Sequence, residues 1–441
     1  MVDFSCKNGI KLQIRESDKF TRNMLSVSFI CPLDAATASE NGLLAAVMGR
    51  GCRKYPEINF VSDFLDTHYG ATFTVGTGKK GENLILRFSV SYIDARYIKD
   101  GTDIEKDMLS FLKMMITDSL IDNPEAVKER TETEKKNIID SINAVKNDKT
   151  TYANLRCATL MFSGERYCVD SSGTVEELMK LSHKDLPGIY RRLVSDSKII
   201  VFGLGRFNEE ALKNWVGTLF DEQFPGLKVS GTITDAGIRK SVGQVRRVTE
   251  TDAMTQSKLV LGFRTGAKSY MDNVGGYVLF NAIFSTAPCS RLFLNVREKL
   301  SLCYYCSSIF DRHKAAMLVY AGISSGKKEQ AEAAILKQIR DIAKEVPEEE
   351  LEKTKQIIID GILQAEDSPT AMESQYLNSV IGKCGMTSGE YISVIKNVSA
   401  DDVKAAANAM MLDTVYFLKG TDEVGDPVAE DFETEEDSYG L

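Results

Sequence analysis

The chain has 441 residues, 43% of them hydrophobic and 27% charged, proportions that fit a water-soluble globular protein of two or three domains. They exclude collagen-like, disulfide-scaffold and wholly disordered classes. The 54 basic and 63 acidic side chains leave a net charge of −9, and the nine acids between Asp422 and Asp437 account for all of it. A body without net charge offers no clustered cationic surface for nucleic acid or anionic lipid, so no nucleic-acid or membrane partner is expected.

Met1 to Gly9 lacks the basic start, apolar middle and small-residue cleavage site of an export signal, which points to a cytoplasmic protein. Nine cysteines, an odd number spread from Cys6 to Cys384, fit reduced thiols in such a compartment. No apolar run approaches the roughly 20 residues that span a bilayer. The strongest, Ile199 to Gly205, reads as one buried strand.

In chain order, Met24 to Ile30 alternates as a strand and leads into an apolar helix, Asn41 to Met48, which stops at Gly49 and Gly51. Tyr69 to Gly78 and Leu84 to Val90 read as two adjacent strands joined by a polar Gly/Lys turn. Asn123-Pro-Glu opens a helix that runs to Ile142, and Lys198 to Gly205 supplies a closing strand. Pro225 to Thr251, weakly periodic and rich in Gly, Ser and Thr, is a natural linker. The plan then repeats: strand Lys258 to Phe263, apolar helix Asn273 to Ile283, strands Tyr304 to Phe310 and Ala316 to Tyr320, and a helix from Val346-Pro-Glu to Ile362.

Paired features in the same order, offset by about 235 falling to about 220 residues, mark an old internal duplication. The expected architecture is α+β: two tandem homologous domains, residues 1–225 and 250–420, joined by a linker at 226–249 and followed by a self-repelling acidic tail at 421–441 that is expected to be solvated and disordered. Each domain should be a sheet with helices packed mainly on one face.

Within the second copy, Ser290-Arg-Leu-Phe-Leu-Asn-Val-Arg-Glu-Lys-Leu-Ser-Leu-Cys-Tyr304 resembles the segment S-R-L-F-x-x-[LV]-R-E-x-x-x-L-x-Y of M16 metallopeptidases, the family of pitrilysin, insulinase and mitochondrial processing peptidase. The resemblance covers nearly the whole body and leaves out only the acidic tail. It implies two mainly antiparallel M16-type domains arranged as a clamshell. Active members carry H-x-x-E-H on the first helix of the first half, where two His at i and i+4 grip one Zn²⁺, the Glu activates its water and a later Glu completes the site. Registered on Gly51, those three positions fall on Gly42, Ala45 and Ala46, and the later ligand on Glu134. Neither Gly nor Ala has a side-chain lone pair to give. The helix then reads as core packing, and Glu134 as a solvated helix acid or a remnant. Only His68, His183 and His313 exist elsewhere, too scattered to rebuild a centre, so neither metal nor cofactor is expected in this chain.

The resemblance also implies what is kept. The family's Arg and Tyr, seven residues apart, bind the substrate backbone and stabilise the oxyanion. Here they match Arg297 and Tyr304, whose rigid guanidinium fork and phenol suit that task. Against this stands the plain reading, an Arg in a helix ion pair and a Tyr in a sheet. Cys303-Tyr-Tyr-Cys306 reads as a strand, with its thiols on opposite faces and simply packed.

Two functions fit. The first is a non-catalytic subunit that forms a heterodimer with a zinc-bearing, H-x-x-E-H-containing M16 subunit and supplies Arg297 and Tyr304 in trans for cleavage of a peptide held as an added β-strand. The chain is similar to such companions in bacterial two-protein M16 systems, among them a pair associated with elongation factor P modification. The alternative is a stand-alone scaffold or peptide-binding protein. A metal-independent hydrolase is disfavoured because no nucleophile motif such as G-x-S-x-G is present.

Overall fold

A computed structural model describes residues 2–6, 8–239 and 241–421. The expected acidic tail lies outside the described residues beyond Thr421. Two compact units form, residues 1–144 with 169–235, and residues 145–168 with 236–441.

The first unit contains β1 (Val2–Ser5), β2 (Lys11–Glu16), β3 (Arg22–Pro32), α1 (Ala35–Met48), α2 (Ile58–Thr67), β4 (Thr72–Lys80), β5 (Asn83–Ile93), α3 (Ile104–Thr117) and α4 (Lys128–Ala144). A segment carrying α5 (Lys149–Met161) then leaves for the second unit. The chain returns with α6 (Val175–Lys180), α7 (Leu186–Asp196), β6 (Lys198–Gly205) and α8 (Glu209–Gly217). The sheet order is β1-β2-β6-β3-β5-β4, antiparallel except for the β2/β6 pair. Period-2 alternation sends Leu25, Val27 and Phe29 of β3 and Leu86, Phe88 and Val90 of β5 into one core with Leu43, Leu44, Val47 and Met48 of α1 and Phe111 and Leu112 of α3. Each fully buried side chain of this kind contributes about 1.5–3 kcal/mol. Helix α1 starts where the Asp34 carboxylate accepts the Thr37 N–H at 2.9 Å. It is followed by Gly51, whose φ of +148° favours glycine.

The second unit contains β7 (Arg246–Asp252), β8 (Ser257–Arg264), α9 (Val274–Asn281), a wide-turned helix at Leu292–Lys299, β9 (Tyr305–Asp311), β10 (Ala316–Ile323), α10 (Lys328–Lys344), α11 (Glu348–Ala365), α12 (Pro369–Ile381), α13 (Ser388–Lys396), α14 (Ala400–Ala409) and β11 (Met411–Gly420). Its sheet order is β7-β11-β8-β10-β9, again antiparallel except for one pair, β7/β11. Laid on the first sheet without β1, the order and the place of the parallel pair are the same. The duplication read from the sequence therefore extends to strand connectivity. Leu259, Leu261 and Phe263 of β8 join Leu279 and Phe280 of α9 and Ile335 of α10 in the main core.

The observed boundaries differ from the sequence expectation. Residues 145–168 do not stay with the rest of 1–225: α5 packs on the face of the second sheet opposite its main helices, where Ala153 and Cys157 meet Val260, Tyr416 and Leu418. A Cβ at Gly262 would stand 2.7 Å from the Met161 sulfur, so the helix approaches the sheet closely there and a side chain at 262 would displace the methionine. Ion pairs from Lys149 to Asp252 at 2.6 Å and from Arg156 to Glu250 at 2.5 Å fasten it further. The linker expected at 226–249 also ends early, because Arg246 to Thr249 already belong to β7. That polar, largely exposed strand lacks the apolar alternation that would have marked it. Among the described residues no helix is long and apolar enough to cross a membrane.

Candidate functional site

In the first unit, α1 carries the positions to which the register on Gly51 assigns the zinc motif. Gly42 and Ala46, one turn apart, are half-buried, and Ala45 is 3% exposed within the core. None carries a donor atom. Glu134 lies on α4, whose long polar face leaves only Thr131 and Glu134 buried. The expectation of a solvated acid is corrected here. Glu134 is 7% exposed and both its oxygens are taken by Arg50, which donates from Nε at 2.8 Å and from Nη2 at 3.2 Å. A bidentate guanidinium thus supplies the positive charge that a metal would otherwise bring to this carboxylate. The sequence separates the partners by 84 residues, and no local signal connects them.

Among the described residues no group of three or more His, Cys, Asp or Glu could hold a metal ion. The three histidines are engaged separately. His68 places Nδ1 2.7 Å from the Phe64 carbonyl, His183 faces Glu125 at 3.3 Å, and His313 faces Asn378 at 3.1 Å. Among the described residues, Gly42, Ala45 and Ala46 with the Arg50-bound Glu134 do not fit a zinc ion.

The Arg50–Glu134 pair carries a prediction. Arg50→Ala should destabilise the chain by about 1–2 kcal/mol, because it strands a buried carboxylate. The figure is discounted because the Arg50 side chain is 44% exposed. A urea melt reads it, and an unchanged midpoint would mean that water replaces the guanidinium without cost.

In the second unit, Arg297 sits near the end of the wide-turned helix and Tyr304 at the bend before β9. The Arg297 side chain is 46% exposed. It touches the adjacent, equally exposed Glu298 at 3.5 Å, a contact of the kind that contributes little. Its guanidinium lies over the Phe293 ring, 5.1 Å from the centroid. Tyr304 is 39% exposed and is held by its backbone N–H, which donates to the Gly322 carbonyl at 2.9 Å. Cys303, the chain neighbour of Tyr304, feels the positive field of Arg297, which puts helix end and bend in one locality. Neither side chain is committed to the core, and both keep donors available.

The two cysteines are not on opposite faces as expected. The strand begins only at Tyr305, after Ser301 has adopted a φ of +47°. Cys303 and Cys306 therefore both pack against the same core.

The chain is similar to several known proteins. The family model described as "Peptidase M16 inactive domain" matches residues 180–358. A Bacillus subtilis (strain 168) protein named "Probable inactive metalloprotease YmfF" is 25% identical over 415 residues, 94% of this chain and 96% of its own. The crystal structure of a conserved protein from Enterococcus faecalis V583 superposes with a TM-score of 0.84 at 26% identity, covering 96% of this chain and all of that one. A peptidase M16 inactive domain structure from Pseudomonas fluorescens gives 0.75 at 14% identity over 96% and 99% of the two chains, a likeness of fold alone. The chain is thus similar to inactive M16 peptidases, through residues 180–358 in the family model and through 94% of its length in the Bacillus subtilis protein.

Proposed function

We propose that the chain is the zinc-less half of a two-protein cytoplasmic peptidase. A partner subunit bearing H-x-x-E-H holds the metal, and Arg297 and Tyr304 of this chain bind the peptide backbone and the developing oxyanion in trans. The observation that carries this reading is an asymmetry. The zinc positions are reduced to Gly and Ala with Glu134 closed off by Arg50, whereas Arg297 and Tyr304 remain half-exposed beside each other in the chain path. A scaffold that had lost all need of peptide chemistry has no reason to keep both donors in water.

The substrate class is an extended peptide or unfolded segment. In support, β4 is the last strand of its sheet, and Thr72, Thr74 and Gly76 along it are exposed. A Cβ at Gly76 or Gly78 would meet nothing within 4 Å. Such an edge accepts another strand through main-chain hydrogen bonds at little steric cost.

The first experiment is gentle purification of the tagged full chain from its own cells, with mass spectrometry of whatever accompanies it at equal stoichiometry. A companion containing H-x-x-E-H is the expected result. Recovery of this chain alone would favour the scaffold reading, to which the closed Arg50–Glu134 pair is equally suited.

A further inference from the structure

Tyr305, the first residue of β9, stands opposite Gly322 of β10, and Gly322 stands opposite Lys258 of β8. Residues directly opposite one another on adjacent strands share a face of the sheet, so these three form one row. The Tyr305 ring lies along that row, over the glycine. A Cβ at 322 would stand 2.5 Å from the ring Cε1 and 2.7 Å from Gln256 Oε1, closer than Cβ atoms approach other groups. At the far end of the row the Lys258 Nζ stands 5.2 Å from the ring centroid and donates to Gln256 Oε1 at 2.6 Å. The phenol end is held as well, by a 3.0 Å hydrogen bond between the Tyr305 and Thr150 hydroxyls. Thr150 belongs to the first turn of α5, where the Asp148 carboxylate accepts the N–H groups of Thr150 and Thr151 at 2.9 and 3.1 Å.

We infer that Thr150 and Gly322 are positioning residues for Tyr304, acting through the ring of Tyr305. The two tyrosines are consecutive, so a backbone fixed at one constrains the other. Tyr304 is 39% exposed and has no core packing of its own to set its direction. Its restraint comes from the main chain, through its N–H bond to the Gly322 carbonyl at 2.9 Å and through the seated ring next to it. Both restraints meet at Gly322, whose carbonyl holds Tyr304 and whose missing side chain admits Tyr305. On the other side Cys306 packs against the main core, which leaves the Tyr305 ring to the α5 face by the alternation of the strand.

A donor aimed at a reacting atom works only if packed neighbours hold it within about 0.5 Å of the productive geometry. The consequence for peptide cleavage rests on the reading of Tyr304 proposed above, whereas the anchoring itself does not.

The test places a fluorine-labelled tyrosine at position 304 of the full chain and follows its resonance by NMR. Thr150→Val keeps the shape and removes the hydroxyl, and Gly322→Ala drives the Tyr305 ring out of its row. Both are expected to shift or broaden the resonance at 304. Thr150→Ser keeps a hydroxyl and restores the parental line. Thr159→Val, on the same helix but with its hydroxyl bonded to the Leu155 carbonyl at 2.8 Å, leaves that line unchanged. In the pair with a zinc-bearing subunit, Thr150→Val and Gly322→Ala should lower kcat by about tenfold while KM moves by less than about twofold, and Thr150→Ser should recover the rate.

An unchanged resonance in both Thr150→Val and Gly322→Ala would overturn the inference. So would an equal shift in Thr159→Val, which would mark a general loosening of α5. If the resonance moves while cleavage by the pair stays at the parental rate, or if the parental pair cleaves nothing, the anchoring stands and the role assigned to Tyr304 falls.

Discussion

On the proposed pairing with a zinc-bearing subunit, Arg297→Ala should lower the turnover of a peptide substrate by about 10²–10³-fold, the loss that follows removal of one preorganised donor at a developing oxyanion. Tyr304→Phe falls in the same range, and its loss appears in kcat more than in KM, because a phenol donor aimed at the tetrahedral intermediate has little to hold in the ground state. In the proposed role Arg297 would also grip the backbone of the bound peptide, so its removal should raise KM as well. Lysine at 297 restores the charge without the fork and recovers only part of the rate.

Both side chains are about half-exposed and take no part in the core. The variants should therefore unfold within about 0.5 kcal/mol of the parent, and co-purification with the zinc-bearing partner should be unchanged. That separates chemistry from assembly. Wild-type rates in a pair that still forms would remove the role in trans and leave the scaffold reading.

The residues legible from sequence alone are those whose partners are near in sequence or repeated in it. The alternation of Leu259, Leu261 and Phe263, matched by Leu25, Val27 and Phe29, reveals the duplicated strand because period 2 is a local property. The register on Gly51 assigns the zinc-motif positions to Gly42, Ala45 and Ala46 by resemblance, and the structure shows the helix they sit on packed as an ordinary core element. Three features lay beyond such reasoning. Helix α5 shows no sequence sign of packing with the second unit, since Ala153 and Cys157 would serve equally in either core. Glu134 finds Arg50 only through the packing of α1 on α4. The two cysteines join one core because the strand begins only at Tyr305, after Ser301 has taken a left-handed backbone conformation that its side chain does not announce. In each case the deciding interaction is tertiary, and a period or a propensity carries no information about it.

The crossover of residues 145–168 yields the largest expected stability effect. Arg264 and Lys314 both have side chains that are fully buried, and Glu165, on the crossing segment, accepts from Arg264 at 2.6 Å and faces Lys314 at 2.8 Å. Asp413 of β11 takes the remaining Arg264 Nε at 3.2 Å. Two buried cations are thus met by two carboxylates, and the Met161 and Gly237 carbonyls accept further hydrogen bonds from Arg264 and Lys314 at 2.8 Å each. Glu165→Ala removes the carboxylate that meets both buried cations, which costs about 3–5 kcal/mol. Glutamine at the same position keeps the shape and one acceptor and should cost less. Burial alone would raise the Glu165 pKa, but the hydrogen bonds and charges of Arg264 and Lys314 outweigh it and hold the carboxyl below its usual value. The sign follows from that depression. The stabilisation is fully present above the ordinary carboxylate pKa of about 4.3 and drains away as pH falls through the lowered native value. Urea melts at neutral pH should show the full gap between the parent and Glu165→Ala, and melts in strong acid should show it shrink. Hydrogen exchange should speed first in α5, which loses its anchor, while the main core of the second sheet keeps its protection. A gap under about 1 kcal/mol at neutral pH would mean that water reaches Arg264 and Lys314 once the carboxylate is gone, and that the apolar contacts of Ala153 and Cys157, not the ion cluster, hold the crossing segment in place.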